Sequence, residues 1–408
     1  MTTDPTVRRL SEWDAGRLRT LAADHGTPLY VIDLERVASN ARRVAEAFPD
    51  ARVHYAAKAN AGGAVLDRVR REGLGVECAS AGEVVRALDA GFDPADVLYT
   101  PVNPPDRDLE TVLSATRELT ITAGATDTID RLADRGYRGR LAVRVHPSVG
   151  AGHDESVATG GDASFGVPVD RAASVVEDAA ARGFDVVGVH AHVGSGLTNE
   201  DVDAHRAVVE TLSTLVGRVE VDLEYVDVGG GFGVPYRPDD PPLDLDAIAA
   251  ATREALADRD VDLAIEPGRY LVADAGTLLA RVNTVKSAPE GVFAGVDAGM
   301  STLLRPALYD AYHHVRSLAP DADAREGATV TLVGPVCEGS DVLARDRRLP
   351  APEREDLLAI GNAGAYGIEM ANHYTSRPRP VVVALEDDAA RVVRRREDVS
   401  DLTAMEEP

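Results

Sequence analysis

Two lysines stand in this chain of 408 residues, Lys58 and Lys286, and nearly all of its 43 basic residues are arginine. A sequence that has almost dispensed with lysine, yet keeps one in Tyr55-Ala56-Ala57-Lys58-Ala59-Asn60 at the end of an apolar run, needs an amine there. Arginine cannot replace it, because a guanidinium stays protonated and forms no imine. Desolvation at a buried strand end lowers an amine's pKa and suits it to Schiff-base chemistry; the plainer alternative is an ion-paired lysine at a strand tip. A second apolar run ends in His190-Ala191-His192-Val193-Gly194-Ser195-Gly196. Strand alternation puts the two imidazoles on one face. That suits a metal pair, core histidines satisfied by carbonyls, or a flat platform for a cofactor ring with backbone donors for a phosphate beside it. The adjoining glycines and Ser195 favour the platform.

A third run closes in Asp227-Val228-Gly229-Gly230-Gly231-Phe232-Gly233. Consecutive glycines at Gly229, Gly230 and Gly231 let backbone N–H groups approach a phosphate without side-chain clash. The spacing is not that of a dinucleotide fingerprint. A fourth run closes in Glu266-Pro267-Gly268-Arg269. Its carboxylate can keep a pyridine nitrogen protonated, and Arg269 offers a forked donor to phosphate or carboxylate; a structural Glu–Arg pair is the alternative. Amine, ring platform, phosphate loop and acidic partner are together what pyridoxal phosphate requires. The four segments therefore read as its site, with Lys58 as the Schiff-base residue and no metal.

These residues must be carried by elements that bring run ends together. From about residue 50 to 270, eight apolar runs alternate with amphipathic helical stretches at a mean spacing of roughly 30 residues, the count of a (β/α)8 barrel; an open doubly wound sheet is the competing layout. Barrel enzymes collect their chemistry at the C-terminal ends of the strands, which is where all four segments fall. Beyond about 275 the helices drop out, and strand-like runs separated by Pro/Gly turns predict a mostly antiparallel β domain. The fold class is thus α/β, a (β/α)8 barrel with a C-terminal β domain joined by an N-terminal strand. Residues 1–35 read as the N-terminal strand segment packing on the β domain, 36–275 as the barrel and 276–408 as the β domain.

The net charge of −25 excludes nucleic acid as a natural partner, since phosphate backbones need the opposite sign. The acids are spread along the chain, and with few lysines they suggest a surface adapted to high salt. No apolar run approaches the roughly 20 residues that span a bilayer, and the N-terminus lacks a basic start and an apolar stretch. With two cysteines, Cys78 and Cys337, no disulfide framework forms, and the chain reads as cytoplasmic.

Taken in order, these motifs resemble the barrel-type pyridoxal-phosphate amino-acid decarboxylases. The resemblance continues through Arg305-Pro306-Ala307-Leu308-Tyr309-Asp310-Ala311-Tyr312-His313, Gly334-Pro335-Val336-Cys337-Glu338-Gly339-Ser340-Asp341 and Gly364-Ala365-Tyr366. It implies that Lys58 carries the cofactor and that His192 stacks on its ring. It also implies that Ser195, the Gly229–Gly231 turn, Gly268, Arg269 and Tyr366 hold or flank the phosphate, and that Glu266 pairs with the pyridine nitrogen. Cys337 would be the acid that reprotonates the substrate carbon, and Cys337 and Glu338 would serve the neighbouring subunit of a homodimer.

Within the family the chain is most similar to the members that act on meso-diaminopimelate, releasing CO2 to give L-lysine. Ornithine ends in an ammonium, whereas the distal end of meso-diaminopimelate is a whole amino acid and needs both a cation and an anion. Arg305 and Tyr309, with Arg269 and Tyr366 nearby, would take the carboxylate, and Glu338 the ammonium. Related decarboxylases of ornithine, lysine, arginine or carboxynorspermidine are the nearest alternatives; an inactive regulatory homologue is the non-enzyme one. Two departures stand out. Glu77 occupies a position where the family often has aspartate, and Ser164-Phe165-Gly166 lacks the lysine often seen before it. The Gly150–Gly161 loop resembles the family's specificity region only loosely.

Overall fold

The computed structural model describes residues 6–147, 165–192, 194–289 and 291–407. The Gly150–Gly161 loop, Ser164 and Val193 lie outside the described residues. The chain divides into two compact units. One comprises Met1–Val37, Pro235–Pro242 and Val272–Pro408, and the other Ala38–Val234 and Leu243–Leu271. The first strand, β1 (Leu29–Asp33), belongs to the former.

The second unit is a closed parallel barrel. Its strands are β2 (Ala51–Ala56), β3 (Gly75–Cys78), β4 (Val97–Tyr99), β5 (Thr120–Ala123), β6 (Arg140–His146), β8 (Asp185–His190), β9 (Tyr225–Asp227) and β10 (Asp262–Ile265), with a two-residue strand β7 (Val167–Pro168) at the margin of β6. Each pairs in parallel with its neighbours, and the β10–β2 pairing completes the circuit. This is the eight-stranded barrel that the sequence spacing predicts. Helices such as Gly63–Arg71, Ala81–Asp89 and Val169–Ala181 connect the strands, with their apolar residues buried and their charges outward. Around the N-terminal strand ends Arg52 pairs with Asp262 (2.7 Å) and Arg140 with Glu224 (2.6 Å), so that end is tied by exposed ion pairs. The chemistry-bearing residues stand at the other end.

The first unit is a nine-stranded, mostly antiparallel sheet. It adds β11 (Gly276–Ala288), β12 (Gly291–Val296), β13 (Val315–Ser317), β14 (Gly327–Val333), β15 (Val342–Pro350), β16 (Leu357–Ile360), β17 (Val381–Glu386) and β18 (Ala389–Arg394). β1 lies antiparallel to β11 and parallel to β17, so the N-terminal strand does join this sheet. Leu18, Leu29, Val31, Leu279, Ala359 and Val383 form its buried core. Sequence reading left out β13, β15 and β18. β13 is only three residues long, and β15 and β18 carry arginines on exposed positions, so neither shows the apolar alternation that marks a strand.

Candidate active site

Lys58 sits in a single 3-10 turn, Ala57–Ala59, immediately after β2. Its Nζ lies 2.8 Å from Oε2 of Glu77, a residue of β3 that is 1% exposed. Burial pushes the Glu77 carboxyl up to about 7; the Lys58 ammonium opposes that, and the charge of Glu266 adds to it. The ion-pair alternative for Lys58 and its placement at a barrel strand end are thus both present. Glu77 is the residue that pairs with the amine. The turn is tightly seated: Ala56 N–H donates to the Pro267 carbonyl (3.1 Å), and a Cβ on Gly268 would stand 3.1 Å from the Ala56 Cβ.

β8 ends at His190, so the two-residue alternation expected to align His190 with His192 stops between them. The two rings have different surroundings. His190 Nε2 is 3.4 Å from Glu266 Oε2, inside the barrel mouth. His192 accepts a hydrogen bond at Nδ1 from the Gly230 N–H (3.2 Å). Burial, reinforced by the charges of Lys58 and Arg144, brings the His192 pKa down to about 3, so its ring is flat and uncharged. Burial also lowers the pKa of His190 against the pull of Glu266. His190 Nε2 and the Glu266 carboxylate share a hydrogen bond.

Glu266, just past β10, is held below the usual carboxylate range by His190 and Lys58, which outweigh its burial. Asp227, at the end of β9, is pushed the other way, by burial first and by the Glu266 charge second. Ligand atoms of His190, Asp227 and Glu266 lie within 4.8 Å of one another, the one such cluster among the described residues. Oε1 of Glu266 is buried with no hydrogen-bond partner among the described residues. An ionised oxygen in that state calls for a cationic or N–H donor.

The glycine turn is more constrained than a phosphate loop alone requires. Gly229 N–H donates to Asp227 Oδ1 (2.8 Å), and Gly230 N–H is taken by His192, so two of the three amides expected to face a phosphate are engaged inside the protein. A Cβ on Gly230 would come within 2.1 Å of the Glu266 carbonyl oxygen, and Gly229 adopts φ +70°. The turn thus locks β9 to the strand that carries Glu266. Ser195 and Arg269, predicted as phosphate neighbours, do meet: an Arg269 Nη2 donor reaches Ser195 Oγ at 3.0 Å, with the guanidinium buried.

The remaining predicted residues belong to the β unit. Arg305 is buried in the short helix Arg305–Tyr309; its Nη1 lies 2.8 Å from His313 Nε2 and its guanidinium lies over the Tyr236 ring. Tyr309 is half-buried. Cys337 and Glu338 are exposed on one loop, where Glu338 accepts a hydrogen bond from the Tyr374 hydroxyl. The buried Asp341 anchors that loop by accepting from Met300 N–H and Val336 N–H, each at 2.6 Å. Tyr366 sits at φ +56°, a left-handed conformation uncommon for a side chain of its size.

Sequence reasoning treated Glu77 only as a departure and gave Asp227 and Arg144 no role. All three are charged residues inside buried apolar strands, and that misplacement of charge is the signal that could have found them.

The profile of the pyridoxal-dependent decarboxylase pyridoxal binding domain matches residues 34–273. A diaminopimelate decarboxylase of Methanothermobacter thermautotrophicus is 43% identical over 94% of this chain and 92% of its own length. The chain belongs to the diaminopimelate decarboxylase family, one of the pyridoxal-dependent decarboxylases. Among solved structures, the Helicobacter pylori diaminopimelate decarboxylase complexed with L-lysine superposes with a TM-score of 0.87 at 32% identity, covering 95% of this chain and 99% of that one. The M. jannaschii diaminopimelate decarboxylase, also in complex with L-lysine, gives a TM-score of 0.89 at 30% identity, covering 100% of this chain and 97% of that one.

The barrel end fits the pyridoxal cofactor of this decarboxylase family. Glu266 Oε1 is an ionised, unsatisfied acceptor of the kind a protonated pyridine nitrogen requires. His192 offers an uncharged ring, and Arg269 with Ser195 offers donors suited to an oxyanion. Lys58 is the only amine side chain of the barrel unit.

Proposed function

We propose that the chain releases CO2 from meso-diaminopimelate to form L-lysine. The observation that carries this reading is the 43% identity, over nearly the full length of both chains, to a diaminopimelate decarboxylase. Pyridoxal phosphate, when bound, supplies the electron sink that makes loss of CO2 feasible at neutral pH. Lys58 would carry it covalently, and Glu77 would hold the Lys58 Nζ in place and take up or return its proton. Glu266, kept ionised by His190, would hold the proton on the pyridine nitrogen. His192 would bear on the ring face, and Ser195, Arg269, Tyr366 and the Gly229–Gly231 turn would bind or flank the phosphate, with Gly268 giving them room.

At the substrate's distal end Arg305 and Tyr309, assisted by Arg269 and Tyr366, would bind the carboxylate and Glu338 the ammonium. Cys337 would hold at Sγ the proton delivered to Cα after CO2 leaves. Both loop residues are exposed in the single chain, which supports a homodimer in which they would serve the active site of the second copy. The two free cysteines fit a cytoplasmic enzyme, and the −25 charge fits a high-salt one.

The test is CO2 release and L-lysine formation from meso-diaminopimelate by purified protein with added cofactor in concentrated salt. Turnover of ornithine or L-lysine in preference to meso-diaminopimelate would defeat the substrate assignment. Failure of borohydride reduction to fix the cofactor on Lys58 would defeat the site.

A further inference from the structure

A cavity of about 160 Å³ lies wholly within the β unit. Arg8, Arg9 and Arg237 border it, together with His314, Trp13 and Tyr236, and among the described residues no aspartate or glutamate lines it. In a chain with 68 acidic residues against 43 basic ones, a pocket without a single carboxylate is unusual. Many arginines here sit against carboxylates, as Arg325 does with Asp356 and Arg395 with Asp401, and Arg8 in the cavity wall with Asp33. Among the described residues, Arg9, Arg237, Arg316 and Arg347 have no carboxylate within 4.0 Å. Arg9 donates instead to the carbonyls of Arg237 (3.0 Å) and Asp240 (2.7 Å), and Arg316 to those of Leu10 and Trp13. The guanidiniums of Arg237 and Arg347 lie 4.4 and 3.8 Å from the ring centroid of Tyr312.

Asp33 pairs with Arg8, so the cavity charge without a carboxylate partner rests on Arg9 and Arg237; Glu12 accepts the Arg9 backbone N–H, and Asp240 accepts that of Arg237. Arg347 Nε is buried without a hydrogen-bond partner, and burial lowers the Arg347 pKa, with Arg237 adding to the effect. The His314 pKa is lowered, by burial first and then by the charges of Arg347, Arg316 and Arg9. Like charges gathered at a concave, partly desolvated surface repel one another, and an anion seated among them relieves that repulsion.

The geometry points to an anion-binding site in this cavity, selective for a small molecule bearing two or more negative oxyanion groups and no ammonium. The lack of any acid in the wall is what sets the class. An amino acid such as L-lysine would bring its ammonium groups against Arg9 and Arg237 with no carboxylate in the described wall to pair with them. Inorganic phosphate and a small tricarboxylate share the required chemistry, and the apolar faces of Trp13, Tyr236, Pro235 and Pro238 favour the organic anion. This inference is independent of the decarboxylase reading, because none of the residues assigned to that chemistry lines the cavity.

Trp13 is the single tryptophan of the chain and lies in the wall, so its emission reports on this site alone. The holoenzyme is titrated with sodium citrate, sodium phosphate and L-lysine at an ionic strength held constant with sodium chloride. Citrate should give a saturable change in Trp13 emission; phosphate should give a weaker one, and L-lysine none. Losing a charged donor from a partly buried anion site weakens binding roughly tenfold or more, so R237Q/R347Q should shift the citrate midpoint by at least that factor. R345Q, at an exposed arginine on β15 outside the cavity, should leave it in place. A response to L-lysine equal to that for citrate would overturn the proposal. So would the absence of any saturable response to the anions, or a citrate midpoint unchanged in R237Q/R347Q.

Discussion

Glu77 offers the most direct measurement of how the barrel mouth is poised. Replacing it with glutamine keeps the shape of the side chain and removes its titration. In the folded protein the carboxyl is pushed up to about 7, chiefly by burial, against an ordinary 4.5. Between those two values the folded protein holds a proton that the unfolded chain has released. Stability conferred at that position is therefore full at low pH, falls as pH rises from about 4.5, and levels off above about 7. The interval, at about 1.36 kcal/mol per pH unit, corresponds to about 3 kcal/mol. The Lys58 ammonium moderates the effect but is itself more than a third exposed, so it contributes little in return.

The assay is thermal unfolding of cofactor-free wild type and Glu77→Gln at pH 5 and pH 8 in the same salt. For a unit of the barrel's size, about 3 kcal/mol corresponds to roughly 6–12 °C in Tm. The variant's Tm relative to wild type should rise by that amount between the two pH values. An equal difference at pH 5 and pH 8 would show that Glu77 is already ionised at pH 5, and would refute the account of how this site is charged.

Three further outcomes are expected. Glu266→Gln should lower kcat by roughly 10- to 100-fold at saturating substrate, the worth of one charge-assisted hydrogen bond, with the cofactor still bound by absorbance; a kcat within threefold of wild type would remove Glu266 from its role. Gly230→Ala must displace the Glu266 carbonyl, so it should destabilise the barrel by about 1–3 kcal/mol in urea unfolding and depress activity with it; an unchanged midpoint would show that the turn is looser than described. Cys337→Ser should slow turnover by about 10- to 100-fold without altering cofactor absorbance, since a serine hydroxyl is a far weaker acid; undiminished turnover would assign the proton to another group.

The barrel was legible because its eight strands are buried on both faces and so read as short apolar runs, and because parallel strands require a crossover between each pair. Lys58, the His190–Ser195 segment, the glycine turn and Glu266 were legible for a related reason. A barrel fixes where its chemistry must stand, so unusual residues after each run could be ranked by position alone. The polar strands β15 and β18 were not, because they carry arginines at exposed positions and no apolar period.

The amino-acid order alone therefore determined the fold class, the strand ends and the types of group gathered there, because those depend on local periodicity and on chemistry that only certain side chains possess. Three things were decided only by folding. Surroundings, rather than residue type, push the adjacent carboxyls of Asp227 and Glu266 in opposite directions: burial and the Glu266 charge raise the one, while His190 and Lys58 outweigh burial and lower the other. Contact between separate segments of the chain makes Glu77 the partner of Lys58 and turns the Gly230 N–H onto His192. Arg8, Arg9 and Arg237 converge around one pocket that no stretch of sequence displays. Charge state and convergence arise from distance and desolvation in three dimensions, and a linear pattern carries neither.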